Sequence, residues 1–254
     1  MKVLGIIQAR MGSKRLPGKM LMPIIDGKGA LELMIERVSH SSKIDKLTVA
    51  TTIDKSDDNI ELLCQRLSIP CFRGSIEDVL DRFYRAASLY PEYDIIVRLT
   101  GDCPLHDPGV IDDVISEFCK NRSDYTSNVA PPTYPDGLDV EVFSKNTLDE
   151  VWNQAEMQSS REHVTLFIRS NPQLFKIANY ENPNGNLSEM RWTLDEKADF
   201  EFISAVFAEL YHLNPNFKMK DIVKFIKKSP KISSLNRGIE RNEGLRKSLN
   251  EENL

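Results

Sequence analysis

Residues 94–120 read DIIVRLTGDCPLHDPGVIDDVISEFCK, and the fold follows from how this stretch is parsed. The apolar run Asp94–Thr100 is a buried strand that stops at Gly101. Asp107 and Pro108 then pair an N-cap with an N1 residue and open a helix over Gly109–Lys120. A strand handing over to a helix of this length is half of a βαβ unit, the building block of a parallel sheet covered by helices.

The same alternation runs upstream. Strand Val3–Ile7 precedes a loop and helix Ala30–Ser41; strand Leu47–Thr52 precedes helix Ser56–Leu67; strand Pro70–Phe72 precedes helix Ile76–Tyr90. Downstream of residue 121 the rhythm changes. The segment NVAPPTYPDG (128–137) is rich in turn formers, and a strand at Leu138–Phe143 follows. Helices are expected at Asn146–Met157 and Arg161–Arg169, strands at Phe175–Asn179 and Met190–Leu194, and a helix at Asp199–Leu213. The pattern predicts an α/β protein with a mostly parallel sheet in one domain over residues 1–254. Within it, 121–195 reads as an insertion packed over one sheet edge, and 235–254 as a surface helix or tail.

Composition narrows the function. The chain has 254 residues, 41% of them hydrophobic and 28% charged, with a net charge of -5. These are ordinary values for a soluble globular domain. No apolar run reaches the roughly 20 residues of a membrane span, and the short apolar start before Gln8 is too brief for a signal peptide. A cytoplasmic protein without membrane contact is expected. Cys64, Cys71, Cys103 and Cys119 show no C-x-x-C spacing, so incidental free thiols are expected. His40, His106, His163 and His212 lie too far apart to suggest a zinc site. An acidic chain is also a poor general ligand for nucleic acid.

Against that acidic background, QARMGSKRLPGK (8–19) concentrates Arg10, Lys14, Arg15 and Lys19 around Gly12 and Gly18. The loop follows the first strand, at the carboxyl edge where open α/β sheets bind ligands. Glycine-freed backbone amides with Lys and Arg donors suit a polyphosphate; a solvated basic turn is the alternative. The spacing is not that of a P-loop, because five residues separate Gly12 from Gly18 and Met20 follows Lys19. A second feature is Asp102 in RLTGDCPL, ending a buried strand at the same edge. A carboxylate beside a phosphate site suits magnesium, while a turn or helix cap is the other reading. Asp195 in RWTLD (191–195) also ends an expected strand and could complete a metal site.

These residues are similar to a known family. QARMGSKRLPGKML, VATT, FRGSIEDVLDRFYRAA, VRLTGDCPLHDP, TYPDGLDVEVF, REHVT and RWTLD, in that order, resemble the cytidylyltransferases. The group includes CMP-KDO and CMP-sialic acid synthetases, and the likeness is greatest to its spore-coat polysaccharide SpsF-type branch. It spans residue 3 to about 213 and extends into IERNEGLRKSL near the end. The resemblance implies a Rossmann-like α/β/α nucleotidyltransferase fold, related to GT-A glycosyltransferases. It also implies transfer of a nucleoside monophosphate, normally CMP from CTP, to a sugar acid or sugar phosphate, with pyrophosphate released and Mg2+ as cofactor.

By that resemblance Ala9, Arg10, Gly12, Ser13, Arg15 and Lys19 hold the triphosphate, with Arg10 and Lys19 as its clamps. Arg73, Gly74, Ser75 and Asp78 hold base and ribose. Asp102 is catalytic and shares the metal with Asp195, or with Asp199 in its place. The acceptor falls to Tyr134, Asp136, Gly137, Asp139 and Glu141, with Arg161, Glu162, His163 and Arg191; a packing role is the alternative for His163, and Trp192 is as readily core. Relatives of this kind are often homodimers. Two rivals keep the fold but change the chemistry: a guanylyltransferase, and a GT-A-like glycosyltransferase using a nucleotide sugar. The latter would normally show Asp-x-Asp where this chain has Gly-Asp-Cys-Pro.

Overall fold

The computed structural model describes residues 1–252. In chain order the elements are β1 (Val3–Gln8), β2 (Pro23–Ile25), β3 (Lys28–Gly29), α1 (Ala30–Val38), β4 (Lys46–Thr52), α2 (Asp58–Arg66), β5 (Cys71–Gly74), α3 (Val79–Ser88), β6 (Ile95–Thr100) and α4 (Pro108–Asn121). They continue with β7 (Tyr125–Ser127), β8 (Glu141–Ser144), α5 (Lys145–Gln154), α6 (Gln158–Glu162), α7 (Leu166–Ser170), β9 (Ile177–Asn179), α8 (Lys197–Leu210), α9 (Met219–Lys228), α10 (Pro230–Ser233) and α11 (Glu243–Glu252).

Seven strands form one sheet in the order β5-β4-β1-β6-β8-β7-β9. All run the same way except β8, which is antiparallel to both β6 and β7. Strand β1 shows why the sheet is covered on both sides. Val3 and Ile7 enter one buried cluster and Leu4 and Ile6 the other, as the two-residue period of a strand dictates. The first cluster packs α1, α2, α4 and α8 through Leu33, Ile60, Ile111 and Phe202; the second packs α3, α5 and α7 through Phe83, Val151 and Ile168. The result is the expected three-layer α/β/α arrangement. Helix α4 begins as its sequence dictates: Pro108 stands in its first turn and the Asp107 carboxylate accepts the Gly109 N–H at 2.8 Å.

Four local expectations differ from the structure. The strand expected from Leu138 begins only at Glu141, because the Asn128 side chain takes over the ladder: it donates to Leu138 O at 2.8 Å and accepts from Val140 N at 2.9 Å. The helix expected over Arg161–Arg169 breaks into α6 and α7 at Val164, which sits at φ 44°. Met190–Leu194 is not a strand; it makes one bridge, Arg191 to Asp136, and its amides bond Asp136 O and Asp102 O instead. Residues 121–195 do not lie over the sheet edge but build it, supplying β7, β8 and β9. Of the C-terminal stretch 235–254, residues 253 and 254 lie outside the described residues. Among those described, no helix is long and apolar enough to cross a membrane.

Candidate active site

Strands β1 and β6 end side by side, Gln8 against Thr100, so the basic loop and the Gly101-Asp102 turn leave the sheet at one edge. Because β8 runs the other way, its first residue, Glu141, stands beside Arg98 at that same edge. Between these segments lies a cavity of about 840 Å³. Its walls include Ala9, Arg10, Gly12, Ser13, Arg15, Lys19 and Asp102 from the nucleotide side of the sequence reading, and Asp136, Asp139, Glu141, Glu162, His163, Arg191 and Asp195 from the other. Residues from the first strand, such as Ala9, and from far down the chain, such as Asp195, are thus gathered at one place.

At its centre Lys19, only 5% exposed, donates to Asp102 Oδ2 and Asp195 Oδ1, each at 2.7 Å. Burial alone would lower the Lys19 ammonium, but the two carboxylates outweigh it and its pKa is raised. Burial pushes the Asp102 carboxyl up, and Lys19 more than reverses this, leaving it below the ordinary carboxylate range. Two carboxylates therefore converge on a point held by a cation. The donor set fits a hard divalent ion with phosphate oxygens and water completing its shell, the ammonium being the stand-in.

Asp199 is not part of that set. It is fully buried; Oδ1 receives Arg191 Nε and Asn236 Nδ2, and Oδ2 receives the backbone amides of Asp195 and Glu196. Its role is to fix the turn that presents Asp195. Arg191 spans the same turn, reaching Asp136 Oδ2 at 2.9 Å and Asp195 Oδ2 at 3.3 Å. Arg15 reaches Asp195 Oδ2 at 3.0 Å.

Arg82 is not a residue that the sequence marks as part of a site. It lines the cavity at 1% exposure, donates to Ser75 O at 2.7 Å, and keeps its Nε buried without a hydrogen bond. Burial, then the charge of Arg10, push its guanidinium down to about 10. A buried cation beside a like charge is costly unless a ligand brings an anion. The available signal was its place at helical spacing among Val79, Phe83 and Ala86, an otherwise apolar stripe.

Other expected ligands face elsewhere. Arg73 does not line the cavity: it donates to Thr52 O and Asp54 O and pairs with Asp58 and Glu61, bracing β5 against β4 and α2. Asp78 caps α3 through Asp81 N and receives two bonds from Arg161, at 2.9 and 2.6 Å; Ser75 Oγ accepts from Asp78 N. At Gly74 a Cβ would lie 2.8 Å from the Phe72 ring. Tyr134 is buried and stacks on Tyr180. Gly137 has φ +105°, and a Cβ there would lie 2.6 Å from Thr193 N, so only glycine lets this loop lie against 191–193. Glu141 reaches the cavity wall, yet its oxygens are taken by Tyr125 OH, Thr165 Oγ1 and Arg98. One consequence is direct. Arg73→Ala should lower the melting temperature and leave CTP affinity within about twofold of wild type, since its partners are protein groups; a titration showing tenfold weaker CTP would return Arg73 to the nucleotide.

A parallel-sheet α/β/α fold with an anion-ready loop after its first strand and paired carboxylates at the same edge defines a nucleotide-handling protein. The match is more specific than that: the family described as Cytidylyltransferase covers residues 4–229, and the chain belongs to that family. The spore coat polysaccharide biosynthesis protein SpsF of Bacillus subtilis is 35% identical over 90% of this chain and 95% of its own. A 3-deoxy-manno-octulosonate cytidylyltransferase of Chlamydia trachomatis serovar A is 29% identical over 65% of this chain and 66% of its own. Among solved structures, a cytidylyltransferase from Leptospira borgpetersenii superposes with a TM-score of 0.88 at 35% identity, over 95% of this chain and 100% of that one.

Proposed function

We propose that the protein transfers CMP from CTP to a sugar acid or sugar phosphate, with magnesium, in the biosynthesis of a surface polysaccharide. One observation carries this reading: Lys19 bridges Asp102 and Asp195 in the wall of a polar cavity that also holds Arg10 and Arg82. The family's nucleotide and the named acid of the 3-deoxy-manno-octulosonate relative support the choice of substrates.

Asp102 and Asp195 would hold the ion, whose charge offsets that of the phosphate oxygens. Lys19, exchanged from the carboxylates to the triphosphate, joins Arg10, Arg15 and the amide of Gly12 in binding about four negative charges, the Ser13 amide being held by Met11 O at 2.8 Å. Arg82 supplies a further guanidinium from below. The acceptor oxygen attacks the α-phosphorus in line and forms the new P–O bond, its proton, where it is a hydroxyl, passing to solvent. The bond to the α–β bridging oxygen breaks, and pyrophosphate leaves with that electron pair. No protein nucleophile is required; the side chains orient the two oxygens and stabilise the departing charge. A cytoplasmic location and a homodimer belong to the same reading: all four cysteines are free thiols, and edge strand β9 leaves Ile177 exposed.

The test is pyrophosphate release from each of the four nucleoside triphosphates, with and without magnesium, against 3-deoxy-manno-octulosonate, other sugar acids and sugar phosphates. Release is expected with CTP, magnesium and an acidic acceptor. Silence in every combination, or turnover of a nucleotide sugar alone, would overturn the proposal.

A further inference from the structure

One wall of the cavity lies beyond the family match, which ends at residue 229. Residues 240–252 bring Glu240, Asn242, Glu243, Leu245 and Ser248 into the lining. The segment is fastened at three places. At its start, Arg241 pairs with Asp139 and lies 3.7 Å from Asp136, while donating to Tyr134 O at 3.3 Å. Next, Glu243 pairs with Arg15 of the basic loop at 2.8 Å. At the far end, Ser248 Oγ donates to Glu162 at 2.9 Å and lies 3.0 Å from His163 Nε2, and Glu252 accepts the Ser159 amide at 2.5 Å.

Two features of these fastenings matter. First, their partners Arg15, Asp136, Asp139, Glu162 and His163 are the side chains that the sequence suggests as substrate ligands, so the segment closes over that part of the site. Second, the ties are polar, and the Arg15–Glu243 pair is open to solvent, 36% and 52% exposed. Exposed ion pairs hold weakly, and elements that open around ligands are drawn from the least stable parts of a fold. Arg241 differs from the other ties. Its side chain is only 15% exposed, and it is the cation paired directly with Asp139, while at Asp136 it adds at 3.7 Å to Arg191 at 2.9 Å; burial and Asp139 push Asp136 up to about 6 even so.

Resting on the cytidylyltransferase reading, we propose that residues 240–252 are a latch over the acceptor half of the cavity, positioned by Arg241, which completes the acceptor pocket and keeps water from bound CTP. Asp136, Asp139, Glu162 and His163 then serve the acceptor through the latch. With the latch loose, water replaces the acceptor. Its oxygen bonds to the α-phosphorus, the bond to the α–β bridging oxygen breaks, pyrophosphate leaves with the electron pair, and the proton passes to solvent, giving CMP.

The experiment uses the full chain with CTP and magnesium and reads CMP formed without acceptor. Arg241→Ala should raise this hydrolysis about tenfold, as exclusion of water by a closing segment is lost. With 3-deoxy-manno-octulosonate as probe, it should raise the KM of the acid and leave that of CTP nearly unchanged, and Arg241→Lys should restore part of both. Ser248→Ala releases only the far end, keeps Arg241 in place as a guard against misfolding, and should shift hydrolysis in the same direction by about threefold. Hydrolysis at the wild-type rate in both Arg241→Ala and Ser248→Ala overturns the latch, as does a KM for CTP that rises in step with that for the acid. A probe acid refused by the wild-type protein leaves the hydrolysis reading to decide. Failure of the wild type with every acceptor counts against the proposed function; a working wild type with unaltered variants counts against the latch alone.

Discussion

Asp102→Asn should lower turnover of CTP by about a hundredfold or more while the protein stays folded. The substitution keeps the shape of the side chain and removes one of the two negative charges facing Lys19. Lys19 retains Asp195 at 2.7 Å, so the buried ammonium is not orphaned and the fold has little reason to fail. On the proposed reading, what is lost is one of the two anions that would hold a divalent ion against the phosphates, for which an amide oxygen is a poor replacement. Asp195→Asn should behave alike, since Asp199 is committed to Arg191, Asn236 and two backbone amides and is not free to substitute. The double variant should lose little more than either single one, because groups acting as a unit are non-additive. Turnover measured against magnesium concentration for all three separates the cases. Near-normal turnover of Asp102→Asn at low magnesium would break the metal assignment.

Glu141→Gln should cost about 3–5 kcal/mol of stability, the penalty for leaving one member of a buried ion pair behind. Glu141 is 5% exposed, and Arg98, the Tyr125 hydroxyl and the Thr165 hydroxyl all converge on it. Burial raises its carboxyl, but Arg98 and Arg169 outweigh that and hold it below the ordinary glutamate value. The stabilisation is therefore complete above the unfolded pKa, about 4.3, and lost as pH falls through the folded value. The variant should lack this acid-side dependence. Denaturant unfolding at neutral and acidic pH checks both points. Replacing the pair together, Arg98→Met with Glu141→Leu, should recover part of the loss. A stable Glu141→Gln protein with an impaired acceptor KM would instead make Glu141 a direct ligand.

What the sequence made legible follows the range of the signals. Strands β1, β4 and β6 and the start of α4 announce themselves within a few residues, through apolar runs and the Asp107-Pro108 pair. Strand β7 is three residues long and exists because β8 offers an edge to pair with, and no local pattern separates it from loop; β9, inside the stretch expected as a strand at Phe175–Asn179, pairs in turn with β7. Asp195 reaches the cavity for a reason other than the one read from its neighbours. No strand ends there, and the turn is set by Asp199 four positions on. Arg73 illustrates the converse. A cation next to glycine looks alike whether it awaits a phosphate or is spent on Asp58 and Glu61, and only the packing of α2 against β5 tells the two apart. The contacts that tie the C-terminal stretch to the cavity are not legible in the sequence, because its fastenings, Asp139 and Arg241 among them, are about a hundred positions apart in the chain.

Strand β8 alone runs against its sheet, and that reversal makes the loop before it a closed excursion from one edge. Ser127, which ends β7, and Glu141, which begins β8, are paired neighbours, so residues 128–140 leave and re-enter the sheet at a single rung. Lengthening or rewriting that excursion does not require the strands on either side to move, and the phosphate-side loops after β1 and β6 belong to other parts of the chain. On the proposed reading, the acceptor residues Tyr134, Asp136, Gly137 and Asp139 thus sit on a different stretch of polypeptide from the loops that face the triphosphate. On that reading a change of sugar would begin in these thirteen residues, together with the Arg191 and Arg241 contacts that hold them, while the loops after β1 and β6 keep their place on the sheet.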